Sequence, residues 1–463
     1  MGLLDYFRSK PPSPITRRAL PRRRNYSGAH VGNLTAGWTT TNLTSTQTLK
    51  NDLEILRARS REQCENNPLL RRWNQLLKNN VVGPKGITMQ ARTKLPSGAL
   101  DAAANDALEA GWMEWGRSVD MGGRLSWRDA QNLFISTVSN DGEALVQMLP
   151  QDDGFGFKID FIDPQYISTA INEEGRGGSR IVMGVELDKW NRPLAYMLPD
   201  SEGIASDSYY WHYGRPYKRV PSSNIIHAFI PERVDQIRGV PWASNALLRM
   251  QMLDGAAEAE LVRTRKEASE SGTFEPALDV GGDLVPDGWD IDGEPILESE
   301  PGVDRILPPG WKYNPGNSTA PNPNFVGFSK AIIREIAASF GVSYFTLAND
   351  LEGVNYTSSR TGMLEDREAW KSLQEWTIEK FCRPIYEAWL PNALASGLLR
   401  LPANGPRLNP AWEPKYRNVS WQGPRWQWVD PAKEVSAWDN KITMGGGTVS
   451  QFLREQGFDP EEV

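Results

Sequence analysis

The residues best suited to metal binding or nucleophilic chemistry in this 463-residue chain are three histidines and two cysteines. His30, His212 and His227 lie far apart, near no HExxH string and no cysteine pair, so a zinc site is not expected. His227, in the string IIHAF, reads as a core or interface histidine. Cys64 and Cys382 cannot build a disulfide framework, and they suit a reducing cytoplasm. No GxxxxGK[ST] string is present, so the chain has no phosphate cradle for ATP hydrolysis. Asp290-Ile291-Asp292-Gly293 is reminiscent of a calcium loop, but such a loop would open on Gly288 and close on Ser299, neither of them a carboxylate. Gly445-Gly446-Gly447 ahead of a helix offers an anion site, and reads more simply as a helix stop. Eighteen tryptophans beside many carboxylates would suit a carbohydrate-active enzyme with a general acid/base pair. Most of these tryptophans fall at core positions, however, and no carboxylate pair stands out. The expectation is a protein with no catalytic residue, no metal and no cofactor.

Composition narrows the class further. Hydrophobic residues make up 39%, adequate for a globular chain with room for two or three domains. No apolar run approaches the roughly 18 residues of a membrane span. The start, MGLLDYFRSK, lacks a secretory signature, and Tyr6 stands where myristoylation wants Ser or Thr. Net charge is -7, from 51 basic and 58 acidic residues. That is not the footprint of a protein that grips nucleic acid by phosphate neutralisation. It is compatible with a conduit through which DNA slides without sticking. Charge is uneven along the chain: seven cations against Asp5 alone in the first 24 residues, and ten carboxylates against two cations in residues 271–324.

Stepping along the chain, residues 1–45 are rich in Pro, Arg, Ser and Thr without an apolar period, as in a disordered or extended arm. Helical pieces follow from Thr48, broken at Asn66-Asn67-Pro68, and GITMQAR reads as a strand. Residues 101–115 are helical, and Ser126 with Asp129 forms a capping box for the next helix, which stops at Asn140-Asp141-Gly142. Hairpins are predicted from EALVQML with FGFKIDFI and from IVMGVELD with RPLAYML, and SNIIHAFI is another strand. Residues 242–270 read as a helix rich in small residues, and 325–340 as one closed by Gly341 in the left-handed conformation. The two are expected to run antiparallel. A polar loop, VSYFTLANDLEGVNYT, then leads into the longest helix, residues 358–390. Its apolar positions Met363, Trp370, Leu373, Ile378, Phe381, Ile385 and Trp389 keep helical spacing; its length is roughly 45 Å, and Pro384 predicts a kink near Cys382. Further on, Asp430-Pro431 starts a helix, and Thr448 with Gln451 caps a last one. The final DPEEV is itself a helix start, so the natural protein is expected to continue beyond it.

The string FSKAIIREIAASFGVSYFTLANDLEGVNYTSSR, followed by a long Trp-bearing helix, resembles the lambda-like portal proteins of tailed bacteriophages. GVSY, then an Asp, then NYTS and Arg carry the match. MGVELDKWNRPLAY, IIHAF, PERVDQIRGVPW and WQGPRWQWVDPAKEVSAW extend it over most of the chain from about residue 51. The resemblance implies an α+β portal fold: an N-terminal arm (1–45), a mixed α/β wing (46–240), stem helices (241–270 and 325–344) around a small acidic α/β clip (271–324), a tunnel loop (345–357), a long kinked spine helix (358–391) and a helical crown (392–463). It implies a ring of about twelve copies at one capsid vertex, passing double-stranded DNA without sequence specificity and without a membrane. Terminase large subunit and later head-completion or adaptor proteins would dock on the clip; major capsid and scaffolding proteins would contact the wing. The expected localisation is the virion, with assembly in the host cytoplasm. In the tunnel loop, Asn349, Asp350, Asn355, Tyr356 and Thr357 would touch the phosphate backbone. Lys330 and Arg334, and likewise Arg263, Arg265 and Lys266, are either a weak basic ring in the channel or a solvated helix face. Asp283, Asp287, Asp290, Asp292 and Glu294 would meet basic patches on docking proteins. A shell or scaffold component with no channel is the competing function.

Overall fold

The computed structural model describes residues 37–199, 217–269, 273–276, 288–289, 295–296, 311–314, 322–353, 355–402, 405–426 and 431–455. The chain divides into two units, residues 1–44 and 45–463. In the first, residues 37–44 carry no helix or strand. No helix among the described residues is long and apolar enough to cross a membrane.

In the second unit, helix α1 (Ser45–Asn66) stops where Asn67 leaves the helical region and caps α2 (Pro68–Leu77). The Asn67 side chain accepts from the amides of Leu69 and Leu70, and Pro68 fills the first helical position, where its missing N–H costs nothing. Strand β1 (Thr88–Ala91) leads to α3 (Ala102–Trp115), capped by Asp101, and to α4 (Trp127–Asp141). The predicted capping box closes both ways: Asp129 N–H donates to Ser126 Oγ, and the Ser126 N–H reaches the Asp129 carboxylate.

Strands β2 (Glu143–Pro150) and β3 (Phe157–Ile162) form the first predicted hairpin. The second divides differently. Residues 180–187 make two strands where one was expected, because Met183 (φ 49°) and Gly184 (φ 77°) form a tight turn. Two successive left-handed residues match the right-handed twist of the flanking strands. The result is a meander of β4 (Glu173–Glu174), β5 (Arg180–Val182), β6 (Val185–Leu187), β7 (Pro193–Pro199) and β8 (Tyr217–Pro221). Strand β9 (Ile225–Phe229) joins the other sheet, in the order β3-β2-β9.

Helix α5 (Leu247–Ser269) starts five residues later than predicted, since Trp242 N–H is tied to Ser139 O and residues 243–246 close short turns. Between α5 and the next helix, β10 (Thr273–Pro276) pairs with the later β13 (Trp311–Asn314), and β11 (Gly288–Trp289) with β12 (Pro295–Ile296). The carboxylates expected to form a docking surface, Asp283, Asp287, Asp290, Asp292 and Glu294, lie outside the described residues. Helix α6 (Phe325–Phe340) ends at Gly341 (φ 67°), as predicted. It runs antiparallel to α5: Arg249 pairs with Glu335 at 2.7 Å, and Glu260 accepts from the Asn322 amide at 2.6 Å.

After α7 (Tyr344–Ala348), the longest helix runs as α8 (Tyr356–Thr377), a π turn (Ile378–Cys382) and α9 (Arg383–Ser396). Pro384 has no N–H for the carbonyl four residues back, and the widened turn just before it absorbs the mismatch through Arg383 N–H to Ile378 O. The predicted end at residue 390 is too early: Pro391 sits inside α9, which continues to Gly397. Helix α10 (Glu413–Tyr416) precedes β14 (Val419–Gln422), which pairs with β1 across more than 300 residues; α11 (Pro431–Thr443) and α12 (Val449–Glu455) follow. Thr448 and Gln451 exchange the two bonds of their capping box.

Two aromatic cores hold these elements. In one, Trp112, Trp115 and Trp127 from α3 and α4 meet Phe381, Tyr386 and Trp389. In the other, Trp73 of α2 lies between Phe340, Trp242 and Trp370, its centroid 4.8 Å from that of Phe340.

Candidate functional site: the corner between helices α6 and α8

The string GVSYFTLAND folds into a corner. Gly341 ends α6, Ser343 opens α7, and Asn349 (φ 54°) ends it in the left-handed region that Asn tolerates. Asp366, one side of α8, holds the corner from outside. It is buried, and it accepts from the Ser343 amide (2.9 Å), the Ser343 hydroxyl (2.7 Å) and the Thr346 hydroxyl (2.6 Å). Gly362 lets α7 press against α8, since a Cβ there would stand 2.8 Å from the Phe345 ring.

The polar loop is shorter than predicted. Residues 344–348 are helical, and so is the backbone at Tyr356 and Thr357, which belong to the first turn of α8. Only residues 349–355 connect the two helices. The Asn355 carbonyl accepts the first backbone bond, from Ser359.

Within that loop Asp350 is the hub. It accepts from the Tyr344 hydroxyl at 2.8 Å and the Glu352 amide at 2.9 Å, and it lies 3.3 Å from Lys330 Nζ. Lys330 also donates to Glu352 at 2.6 Å. Glu352 first and Asp350 second raise the Lys330 pKa, while the Glu352 amide, the Tyr344 hydroxyl and Lys330 lower that of Asp350. Arg334, one turn further along α6, stands over the Tyr344 ring at 5.4 Å. Lys330 therefore straps the loop, and Arg334 the start of α7, back onto α6. Lys330 is not a free cation here, because two carboxylates of the loop already neutralise it.

The other predicted cations are not gathered at this corner. Arg263 lies on α5, 3.9 Å from Glu260, and Arg265 follows it along the same helix. Lys266 is placed only by its backbone. No group of three His, Cys, Asp or Glu among the described residues is arranged to hold a metal. Sequence reading missed Tyr344, Glu352 and Asp366. A Ser and a Tyr just past a glycine cap were a usable signal for the first; Asp366 gave none, since its partners lie about 20 residues away.

The strap makes a testable difference. In Lys330→Ala, amide hydrogen exchange at residues 351–353 is expected to rise several-fold while α6 stays protected. In the unsubstituted protein the same amides should loosen as salt rises to about 1 M, where screening reaches within roughly 3 Å. Equal exchange under all these conditions would remove the ion pairs as the cause of the loop's position.

Comparison with known proteins places this chain among phage portal proteins. Residues 31–374 match the family described as phage portal protein, lambda family. The chain is 32% identical over 461 residues to a probable portal protein of Halomonas phage phiHAP-1, covering 98% of this chain and 87% of that one. It is 21% identical over 388 residues to portal protein B of Escherichia phage lambda, covering 77% and 71%. Among solved structures it is similar to a chain in the neck of a native gene transfer agent particle computed with C12 symmetry, with 14% identity, 89% and 94% coverage and a TM-score of 0.47. An HK97 family phage portal protein from Corynebacterium diphtheriae gives 13% identity, 76% and 94% coverage and a TM-score of 0.31. The chain belongs to the lambda family of phage portal proteins.

Proposed function

We propose that about twelve copies of this chain close into a ring at one capsid vertex, around a channel for packaging and ejecting double-stranded DNA. The observation that carries the ring is on α5. Leu248, Met252, Gly255, Ala259 and Val262 recur four and three residues apart and are all exposed, with Leu248 at 72%, Met252 at 66% and Val262 at 61%. A Cβ on Gly255 would meet nothing within 4 Å. The opposite side, through Leu247, Met250 and Leu253, is already buried in the core. An apolar stripe with small residues at its centre is suited to close approach by a neighbouring helix. In a ring, each copy covers the stripe of the next.

In this reading α5 and α6 form the stem, the strands between them the clip, the corner at residues 344–355 the tunnel loop, and the sheets the wing. Terminase large subunit and then head-completion or adaptor proteins dock on the acidic clip, and capsid and scaffolding proteins meet the wing. Assembly takes place in the host cytoplasm. The chain does no catalysis; a separate ATPase moves the DNA.

Negative-stain electron microscopy with native mass measurement tests the ring. Rings with a central hole and about a dozen subunits are expected. Met252→Asp with Val262→Asp should leave a monomer whose helical circular dichroism matches that of the unsubstituted chain, with a melting temperature lowered by the loss of the subunit contact. Sheets or closed shells from the unsubstituted chain would favour a shell component without a channel, and rings that survive both substitutions would move the interface off α5.

A further inference from the structure

We propose that the ribbon of β1 and β14 floors a binding groove for an extended, acidic polypeptide segment of another protein. The ribbon is two-stranded among the described residues, with Met89 opposite Trp421 and Gln90 opposite Ser420. Alternation sorts its faces. Met89 and Ala91 enter the aromatic core, and Val419 and Trp421 pack against it. Gln90, Ser420 and Gln422 are thereby left on the other face, where they line an open cleft of about 570 Å³. That size falls inside the roughly 300–1,000 Å³ of ordinary ligand clefts.

Charge and hydrogen-bonding chemistry choose the ligand. Arg92, Lys94 and Arg425 line the cleft and no Asp or Glu does, in a chain whose net charge is -7. Arg92 is held in place by Gln90 at 3.2 Å. Lys94 and Arg425 are exposed, and neither has an acidic partner among the described residues. The wall beside Lys94 is fixed as well: Leu95 and Ala99 close a tight turn, and Lys94 bridges to Leu100. Lys94 and Arg425 ask for an anionic ligand. The floor separates a peptide from a nucleic acid. Gln90 Oε1 already accepts from Arg92 and Asn418 Nδ2 already donates to the Arg92 carbonyl. That leaves the Gln422 amide, Gln90 Nε2 and Asn418 Oδ1 to offer donors and acceptors together, a match for a peptide backbone with its N–H and C=O groups. A phosphodiester chain presents acceptors only and would leave the Gln422 and Asn418 amide oxygens unused.

The probe is a fluorescein-labelled peptide of alternating Glu and Thr, titrated with the full chain and followed by fluorescence polarisation. Saturable binding is expected, with affinity falling as salt rises. Lys94→Glu combined with Arg425→Glu should weaken it at least about tenfold, the scale of two lost charge contacts. Both side chains are exposed, so the variant should keep its melting temperature and ring state, and Lys94→Gln with Arg425→Gln should give a smaller loss in the same direction. A Lys-Thr peptide should not bind, and oligothymidylate should compete more weakly than unlabelled Glu-Thr peptide. No saturable binding, equal affinity in the charge-reversed variant, or stronger competition by oligothymidylate would each overturn the proposal, the last by making the groove a nucleic-acid site.

Discussion

Glu143→Ala is expected to destabilise the protein by about 3–5 kcal/mol, the cost of leaving buried charge without its partner. Glu143 opens β2 and its side chain is fully buried. It accepts from Arg57 Nη2 at 2.9 Å, from Arg238 Nε at 2.9 and 3.0 Å, and from the Gly239 amide at 2.9 Å, and it lies 3.0 Å from His227 Nε2. Arg238 is also fully buried and continues outward to the carbonyls of Ile167 and Met183. One carboxylate thus ties together α1, β2, β9 and two loops. Alanine would leave two buried guanidinium groups facing each other with nothing between them. Since a domain is stable by only about 5–15 kcal/mol, the loss should appear as a large fall in the urea midpoint. Glu143→Gln keeps an acceptor and should fall between the two.

The same cluster sets a response to acid. Burial pushes the Glu143 pKa up, but Arg238, His227 and Arg57 outweigh it and hold the carboxyl well below its usual range. A carboxyl depressed in the folded state contributes stability that is complete above the ordinary pKa of about 4.3 and is lost as pH falls through the folded value. The unsubstituted protein should therefore lose stability steeply in that acid window, and Glu143→Ala should show a shallower slope there. A variant within about 1 kcal/mol of the parent, or one with an identical acid limb, would show that the cluster does not hold α1, β2 and β9 together.

The sequence made the punctuation of this fold legible and left the long-range bonds hidden. Ser126 with Asp129, Asn67 with Pro68 and Gly341 each act within a few residues, so local chemistry announces them. Glu143 reads as the first residue of an ordinary strand, and Arg57 as one charge among several on an amphipathic helix. Their partners lie 84 to 96 residues away, and no spacing rule links such positions. Backbone crowding was equally silent. A Cβ on Gly239 would stand 2.0 Å from Gly142 O, a crossing that lets the Gly239 amide reach Glu143. At the candidate site, the turn residues correctly marked a loop. Of the cations read there, Lys330 is engaged by that loop's own acids, a pairing no spacing rule announces because Lys330 and Glu352 stand 22 residues apart in sequence.

Trp389→Ala carries the second large expected effect, about 3–5 kcal/mol, as for other large-to-small changes in cores. Trp389 is fully buried on α9, edge-on to Trp112 at 5.1 Å and near Trp115, Phe155 and Tyr386. Its indole N–H is buried without a hydrogen-bond partner among the described residues. Trp389→Phe removes that orphan donor along with some volume, so it should cost clearly less than alanine. Trp190→Ala, at a hairpin tip where the ring is 70% exposed, should stay within about 0.5 kcal/mol. This ordering, read from thermal or urea unfolding, separates two uses of tryptophan. Sugar-stacking platforms would be exposed and nearly neutral to stability, whereas core anchors are buried and costly to lose. The consequence extends beyond the core, because Trp389 and Asp366 ride on one continuous helix, 23 residues or about 35 Å apart. Loosening the aromatic anchor at one end should therefore raise amide exchange at the Ser343–Asp366 corner at the other. Unchanged exchange there in Trp389→Ala would mean that the π turn between them decouples the two halves.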